Sequence, residues 1–190
     1  NLAAVICVED PLREEAADAV RELKEAGITK VVMMTGDSER TAAAIAKRVG
    51  VDEYYSEVLP EDKASFVEKE KELGHKVIMI GDGINDSLAL SSASVGIAIS
   101  DGAAIAREIA DVTISADNLH EIVTLKRLST ALMKRIHNNY RTIIGINGGL
   151  IALGVTGIIM PTTSALLHNM STLTISLRSM RNLLPKEEEA

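Results

Sequence analysis

The sequence predicts an α/β domain built on a mainly parallel sheet, followed by a helical hairpin free of charge. Three observations lead there. Short apolar runs alternate with helix-like stretches as far as Ile114, two of those runs end abruptly in clusters of glycine and oxygen-bearing side chains, and residues 142–177 contain no Asp, Glu, Lys or Arg. Such alternation builds parallel sheets, which place ligands at the carboxyl ends of their strands. The charge-free stretch asks for a different solvent from the rest of the chain. The expected organisation is an α/β domain over 1–117, an amphipathic connecting helix over 118–141, a helical hairpin over 142–184 and a polar tail over 185–190.

Taken in order, residues 2–8 form a strand-like run, and Pro11 near a first-turn position with Gly27 as the stop predicts a helix over 12–26. Residues 30–34 are a second apolar run and 39–49 the helix after it. Tyr54 and Tyr55 mark a short strand, and Leu59-Pro60 opens a helix running to about 73. Val77, Ile78, Met79 and Ile80 form the continuous apolar run that a strand covered on both faces requires, and Gly81 breaks it. Residues 95–99 and 112–114 are further strands, with a helix over about 102–110 between them. A long helix over about 118–140 carries an apolar face of Leu119, Ile122, Val123, Leu125, Leu128, Leu132 and Ile136.

The chemistry is expected where the apolar runs stop. After Ile80, Gly81-Asp82-Gly83-Ile84-Asn85-Asp86 crowds polar oxygens into a turn whose glycines permit close approach. The cluster suits Mg2+, a hard ion that takes oxygen ligands, or equally an acidic turn capping the helix that starts near Asn85. After Met34, Thr35-Gly36-Asp37-Ser38 puts a hydroxyl and exposed N–H groups at a helix start, a natural phosphate seat, unless Asp37 or Ser38 serves only as an N-cap. Lys63 lies in the first turn of its helix, where it opposes the dipole. It is a solvated surface residue unless an anion lies nearby.

Residues 142–177 are long enough for two spans of about 18 residues each, near the lower limit for crossing a hydrocarbon core. Met160-Pro161-Thr162-Thr163 would be the turn. Lys134, Arg135 and Arg141 precede the stretch, and Arg178, Arg181 and Lys186 follow it, which is the positive-inside pattern at both ends of a hairpin. The alternative is a buried helical hairpin in a soluble protein. Asn147, His168, Asn169, Ser171, Thr172 and Thr174 would need partners in lipid. Ser171 and Thr172 suit helix packing, while His168 and Asn169 suit either cation ligation or hydrogen bonds across helices.

Composition narrows the classes. A formal net charge of −7, no Trp, one Phe and three Tyr argue against nucleic acid as a partner. The single Cys7 excludes an intrachain disulfide and a multi-cysteine zinc site. It is expected to be a small apolar residue of the first strand. The opening residues read as a strand rather than a signal peptide, and the chain as part of a longer protein.

Together these stretches resemble the C-terminal part of a P-type ATPase, most closely the heavy-metal-transporting subclass. Asp10-Pro11-Leu12-Arg13 is similar to the family's D-P-x-R stretch, Thr35-Gly36-Asp37 to T-G-D and Gly81–Asp86 to G-D-G-x-N-D, and Lys63 in Pro60-Glu61-Asp62-Lys63 matches the family lysine between them. The resemblance implies a haloacid-dehalogenase-like, Rossmannoid phosphorylation domain over 1–117 and two transmembrane helices. It implies that ATP phosphorylates an aspartate and that the phosphoenzyme drives cation transport. Asp82 and Asp86 would serve the Mg2+ site with support from Asn85; Thr35 and Lys63 would hold phosphoryl oxygens, and Gly36 and Asp37 would shape that loop. Asp10 and Arg13 would lie on the nucleotide side, most of the ATP being bound by a domain absent here. The transported-cation site would draw on Asn147, His168, Asn169, Ser171 and Thr172.

The sequence departs from the family in ways that matter. D-K-T-G-T, which carries the nucleophilic aspartate, occurs nowhere in the chain. The nucleophile would lie outside it, and this stretch alone is expected to be inactive. The family's nucleophile strand lies between the strands that here are 30–34 and 77–80, so the sheet is expected to lack its central strand unless a segment such as 2–8 fills the slot. Ser87-Leu88 replaces the usual Ala-Pro, and the last span has neither the Asp of zinc and cadmium pumps nor the Met-x-x-Ser-Ser of copper pumps. Partners would be a transported metal cation, the lipid bilayer and the remaining N-terminal portion of the pump, in a multi-pass cell-membrane protein with 1–141 and the tail cytoplasmic. A membrane-anchored phosphatase of the same superfamily and a non-catalytic Mg2+- or phosphate-binding membrane module are the competing functions.

Overall fold

The computed structural model describes residues 12–81, 85–99, 108–114 and 118–183. The strand expected over 2–8, Cys7, Asp10, Asp82, Gly83, most of the helix expected over 102–110 and the C-terminal tail lie outside the described residues. The chain divides into two compact units, Asn1–Val123 and Thr124–Ala190.

The first unit alternates helix and strand, as the pattern of apolar runs requires. Helix α1 (Ala16–Glu25) is shorter than expected at its start, because Arg13 to Glu15 form a turn in which the Arg13 carbonyl accepts from Ala16 N. It buries Ala16 and Ala19. Strand β1 (Val32–Met34) leads to α2 (Glu39–Val49), and β2 (Glu53–Tyr55) leads to α3 (Pro60–Glu72). Pro60 sits at the first helical position, where its missing N–H costs nothing, and the Asp62 carboxylate accepts from Leu59 N at 3.2 Å. Strand β3 (Ile78–Gly81) is followed by the short α4 (Ser87–Ser92), β4 (Val95–Ile99) and β5 (Val112–Ile114).

All strand pairs are parallel, but they form two sheets. β1 pairs with β2, Met34 opposite Tyr55. β3 pairs with β4, and β4 with β5, with Ile80 opposite Ile97 and Ile97 opposite Val112. No backbone pairing joins β1 to β3 among the described residues. The two sheets nevertheless share a core: Val67, Met79, Ala89 and Leu90 form its centre, and Met34 from β1 packs against them with Ala64, Val77, Ala93 and Ile109. Side chains as fully buried as Val67 and Leu90 each contribute about 1.5–3 kcal/mol. α4 crosses β4 so closely that a side chain on Gly96 would lie 2.7 Å from the Leu90 carbonyl oxygen.

Helix α5 (His120–Val155) is longer than expected. Its 36 residues run without a break through position 141, where the connecting helix and the first span were expected to meet. Ile122 and Val123, its buried residues, belong to the first unit. A turn over 156–160 then leads to α6 (Pro161–Ser179). The two helices run antiparallel: Arg135 of α5 reaches the end of α6 and Asn147, further along α5, reaches His168 in its middle. α6 buries no residue, and Ile143, Ile144, Ile151, Leu166, Leu173 and Leu177 are among the many large apolar side chains this unit exposes.

No helix among the described residues is both long and apolar enough, by mean hydropathy, to cross a membrane. The expected spans are free of charge, yet Asn147 and four glycines dilute α5, while Thr162, Thr163, Ser164, His168, Asn169, Ser171, Thr172 and Thr174 dilute α6.

Candidate functional site

At the carboxyl end of β3 the backbone closes on an acidic side chain. Asp86 occupies the N-cap position of α4 but makes no side-chain cap. Its carboxylate instead accepts a hydrogen bond from Lys63 Nζ at 2.8 Å, across from the first turn of α3. Both side chains are largely buried, at 16% exposure for Lys63 and 12% for Asp86. This accounts for a lysine placed against its own helix dipole: the anion it faces is Asp86. It also tells against reading Asp86 as an ordinary helix cap. Breaking such a pair by removing one partner would strand a buried charge, at a cost of about 3–5 kcal/mol. Gly81 is part of the same construction, since a Cβ there would lie 2.7 Å from Asp86 Cβ and collide with its carboxylate.

The second cluster stands at the carboxyl end of β1. Thr35 N donates to the Tyr55 carbonyl (3.0 Å) and the Thr35 carbonyl accepts from Val58 N (3.0 Å), which ties the loop to β2 and the chain beyond it. Thr35 Oγ1 donates to Asp37 Oδ2 at 2.7 Å and accepts from Asp37 N at 3.1 Å. Ser38 takes the N-cap position of α2 without capping it, its hydroxyl pairing with Thr41 Oγ1 at 3.2 Å. Gly36 leaves its surroundings open, the Val58 carbonyl oxygen lying 3.9 Å from where its Cβ would be. Among the described residues no hydrogen bond joins the Thr35 loop to Lys63 or Asp86.

Sequence reasoning missed the brace behind this loop. Glu39, in the first turn of α2, accepts hydrogen bonds from Ser56 Oγ (2.5 Å) and Tyr54 Oη (2.7 Å). The hydroxyl of Ser56 and then that of Tyr54 hold the Glu39 carboxyl below its ordinary value, and Glu39 in turn raises that of Tyr54. An acid in a first helical turn reads as a match to the dipole, and nothing in sequence says that its partners come from β2. Next to the brace, Lys24 donates to Asp52 (2.7 Å) and, with Val31 N (2.8 Å), lowers its pKa. An open hollow of about 570 Å3 on this side is lined by Glu39, Asp52, Glu53, Tyr54, Tyr55 and Ser56, and by neither Thr35, Lys63 nor Asp86.

Of the remaining site residues, Arg13 lies in the turn before α1 and Asn85 is exposed in the turn before α4. Asp10 and Asp82 fall outside the described residues. Asp86 and Asn85 offer the oxygen donors a hard divalent cation takes. Among the described residues no group of three or more His, Cys, Asp or Glu gathers as a metal site.

In the helical unit His168 Nδ1 meets Asn147 Oδ1 at 2.8 Å. With that oxygen as acceptor, the imidazole donates through Nδ1, which fixes the orientation of the ring. Ser171 Oγ and Thr172 Oγ1 donate back to the His168 carbonyl at 2.8 and 3.1 Å, so they serve their own helix. Asn169 lies on the same helix, next to His168.

Parallel strands whose carboxyl ends carry Thr35 and the Lys63–Asp86 pair define the class of the first unit, and residues 1–94 match the haloacid dehalogenase-like hydrolase family. Over nearly its whole length the chain is similar to two curated transporters. A zinc-exporting P-type ATPase of Mycobacterium marinum is 36% identical over 182 residues, 95% of this chain and 25% of the relative. A copper-exporting P-type ATPase of Staphylococcus aureus is 36% identical over 194 residues, 100% of this chain and 24% of the relative. The crystal structure of a zinc-transporting PIB-type ATPase in the E2.Pi state superposes with a TM-score of 0.84 at 34% identity, covering 93% of this chain and 29% of that one. The chain belongs to the heavy-metal-transporting P-type ATPases, and it spans about a quarter of the length of the curated relatives it matches.

Proposed function

We propose that this chain is the distal part of an ATP-driven pump for a transition or heavy-metal cation, working through an aspartyl phosphate whose nucleophile lies outside it. The observation that carries the reading is the Lys63–Asp86 pair at the carboxyl end of β3, with Thr35 at the carboxyl end of β1. Among the described residues no strand pairs with both β1 and β3, which leaves room for one between them. A strand ending in the nucleophilic aspartate would fill that place and bring its carboxylate between the two clusters. Phosphoryl transfer is mostly positioning and cancellation of charge, and these residues supply both: Thr35 a hydroxyl that can turn from Asp37 to a phosphoryl oxygen, Lys63 an ammonium. Asp82 and Asp86, with Asn85, would hold Mg2+, which supplies charge neutralisation to the phosphoryl group. Lys63 would then serve both needs, its ammonium holding Asp86 in place and lying within reach of a phosphoryl oxygen brought to the same site.

The helical unit completes the pump in this reading. The part of α5 beyond Arg141 and all of α6 cross the bilayer, with residues 1–141 and the tail cytoplasmic. Their exposed apolar side chains face lipid and the pump's other helices, and their polar residues face the latter. His168, oriented by Asn147, is the transported-cation ligand best prepared by its surroundings, through Nε2. Asn169 is its neighbour, and Ser171 and Thr172 shape the helix beside it. Relatives that export zinc and copper leave the ion open.

Two measurements test the proposal. The reading frame upstream of Asn1 is expected to encode D-K-T-G-T and a nucleotide-binding domain; a native protein starting near Asn1 would leave only the non-catalytic module. In the full-length pump, Asp82→Asn is expected to abolish Mg2+-dependent phosphoenzyme formation, and retained phosphorylation would remove Asp82 from the site.

A further inference from the structure

The ends of the two long helices enclose a groove of about 370 Å3 lined by Lys134, Arg135, Asn138, Asn139, Arg178 and Arg181 among others, with no carboxylate in its walls among the described residues. One of these cations is already committed. The Arg135 guanidinium donates to the carbonyls of Ser179 (3.0 Å), Asn182 (2.9 Å) and Arg181, closing the carbonyl end of α6 onto α5. Asn139 Nδ2 adds a bond to Ser179 Oγ at 2.7 Å. The groove is thus fixed before any ligand arrives, which lowers the ordering cost of binding. Lys134, Arg178 and Arg181 take part in none of the ion pairs found among the described residues. Three like charges around one hollow repel one another unless an anion enters.

We propose that this groove seats the phosphate headgroup of an anionic phospholipid. The inference rests on the membrane reading of α5 and α6. What selects a lipid over a free anion is the neighbourhood: Ile136, Tyr140 and Ile143 on α5, and Leu173, Leu177 and Met180 on α6, are large, exposed and apolar within two turns or so of the basic residues. A ligand that satisfies both parts carries a phosphate and an acyl chain. Basic grooves between helices at the cytoplasmic surface take such headgroups, and Tyr140 has the amphipathic ring that favours the interface.

The test places the full chain in nanodiscs of phosphatidylcholine containing a minor fraction of phosphatidylglycerol and counts retained lipids by native mass spectrometry after mild extraction. The wild type is expected to retain phosphatidylglycerol selectively. Each of Lys134→Gln, Arg178→Gln and Arg181→Gln is expected to weaken that retention about fivefold. Arg178→Lys/Arg181→Lys keeps the charges and should keep the selectivity, as should Lys126→Gln outside the groove. Unchanged helicity by circular dichroism separates lost binding from lost folding.

A chain that enters the bilayer without preferring phosphatidylglycerol, or a preference that survives all three Gln substitutions, overturns the groove assignment. Millimolar inorganic phosphate that displaces the lipid reassigns the site to a free anion. A preference that emerges only after Glu187, Glu188 and Glu189 are changed to Gln gives the groove to the chain's own acidic tail. A chain that does not enter neutral phosphatidylcholine overturns the membrane reading, and this proposal with it.

Discussion

The two units of this chain solve opposite problems with similar material. In the α/β unit apolar residues go inside, and the few polar groups that follow them in, Asp86 above all, are paired. In the helical unit the relation is reversed: α6 buries nothing, large apolar side chains point outward along both helices, and a polar pair, Asn147 with His168, joins them. The first arrangement is what water imposes on a chain. The second leaves large apolar surfaces uncovered, and the membrane crossing proposed for α6 and the part of α5 beyond Arg141 would supply the apolar surroundings they call for. Charge follows the same division. The first unit uses charge one pair at a time inside a site, whereas the second collects cations at one end of its helices and excludes charge from the rest.

The sharpest way to break this contrast is to remove the buried charge that the first unit depends on. In the full-length pump, Lys63→Met is expected to slow phosphoenzyme formation about 10²–10³-fold, the usual loss when one preorganised donor is removed from a developing negative charge. Lys69→Met, exposed on the same helix, should leave the rate unchanged. Phosphoenzyme formation followed with labelled ATP decides, and equal rates for the two variants would reduce Lys63 to a structural partner of Asp86.

Glycine substitutions probe packing in the two units. Gly81→Ala drives a Cβ to 2.7 Å from Asp86 Cβ, and overpacking of this kind costs about 1–3 kcal/mol, read as a lower urea midpoint. Gly148 meets nothing within 4 Å, so Gly148→Ala in the chain on its own should be neutral or slightly stabilising through helix propensity. Should Gly148→Ala instead impair the full-length pump, another helix packs on that face. A Gly81→Ala midpoint equal to wild type would mean that Asp86 can move away without penalty.

Much of the first unit was legible because its signals are local. Apolar runs ending in glycine marked β1 and β3, Pro60 marked the start of α3, and 95–99, 112–114 and 39–49 coincide with β4, β5 and α2. What escaped depends on contacts distant in sequence. Lys63 could be recognised as misplaced, but its partner lies 23 residues away and only the packing of α3 against α4 joins them. Glu39 gave no signal, since its two hydroxyl partners arrive with β2. In the helical unit the turn expected over Met160-Pro161-Thr162-Thr163 falls earlier, over 156–160, because Pro161 is compatible with a first helical position and opens α6 instead of turning the chain. The continuity of α5 was not readable either, since a composition change at Thr142 suggests a boundary, yet no residue there breaks a helix. Arg135 read as one positive charge among several, and its role as a clamp on the α6 carbonyls needs the hairpin to be closed.

The Asn147–His168 hydrogen bond between α5 and α6 is the next test by size. Interhelical polar contacts in membranes contribute about 0.6 kcal/mol and at most about 1.7, so Asn147→Ala should weaken helix association only slightly. Its effect on selectivity is more informative. If Asn147 fixes the Nδ1–H form of His168, then His168→Ala should change which metals stimulate ATPase activity, and Asn147→Ala should shift the profile the same way but less. An unchanged profile in both variants would return the pair to helix packing.

The smallest expected effect lies at Glu39. Because the Ser56 and Tyr54 hydroxyls lower its folded pKa, Glu39 contributes stability above its unfolded value, about 4.3, and loses it as pH falls through the folded one. Tyr54 is shifted upward, so its contribution is present below about 10 and fades as pH rises through its own folded value. Both groups are open to solvent, which keeps the effect modest. Glu39→Gln should therefore flatten part of the acid limb of a stability-versus-pH curve, leaving the slope due to Asp52, whose pKa is lowered as well. Tyr54→Phe should flatten the alkaline limb and, by removing one donor, take a share of the acid limb too. Denaturant midpoints across the pH range measure both. If Tyr54→Phe left the acid limb untouched while Glu39→Gln removed it, the Ser56 hydroxyl alone would be holding α2 to β2, and with it the Thr35 loop.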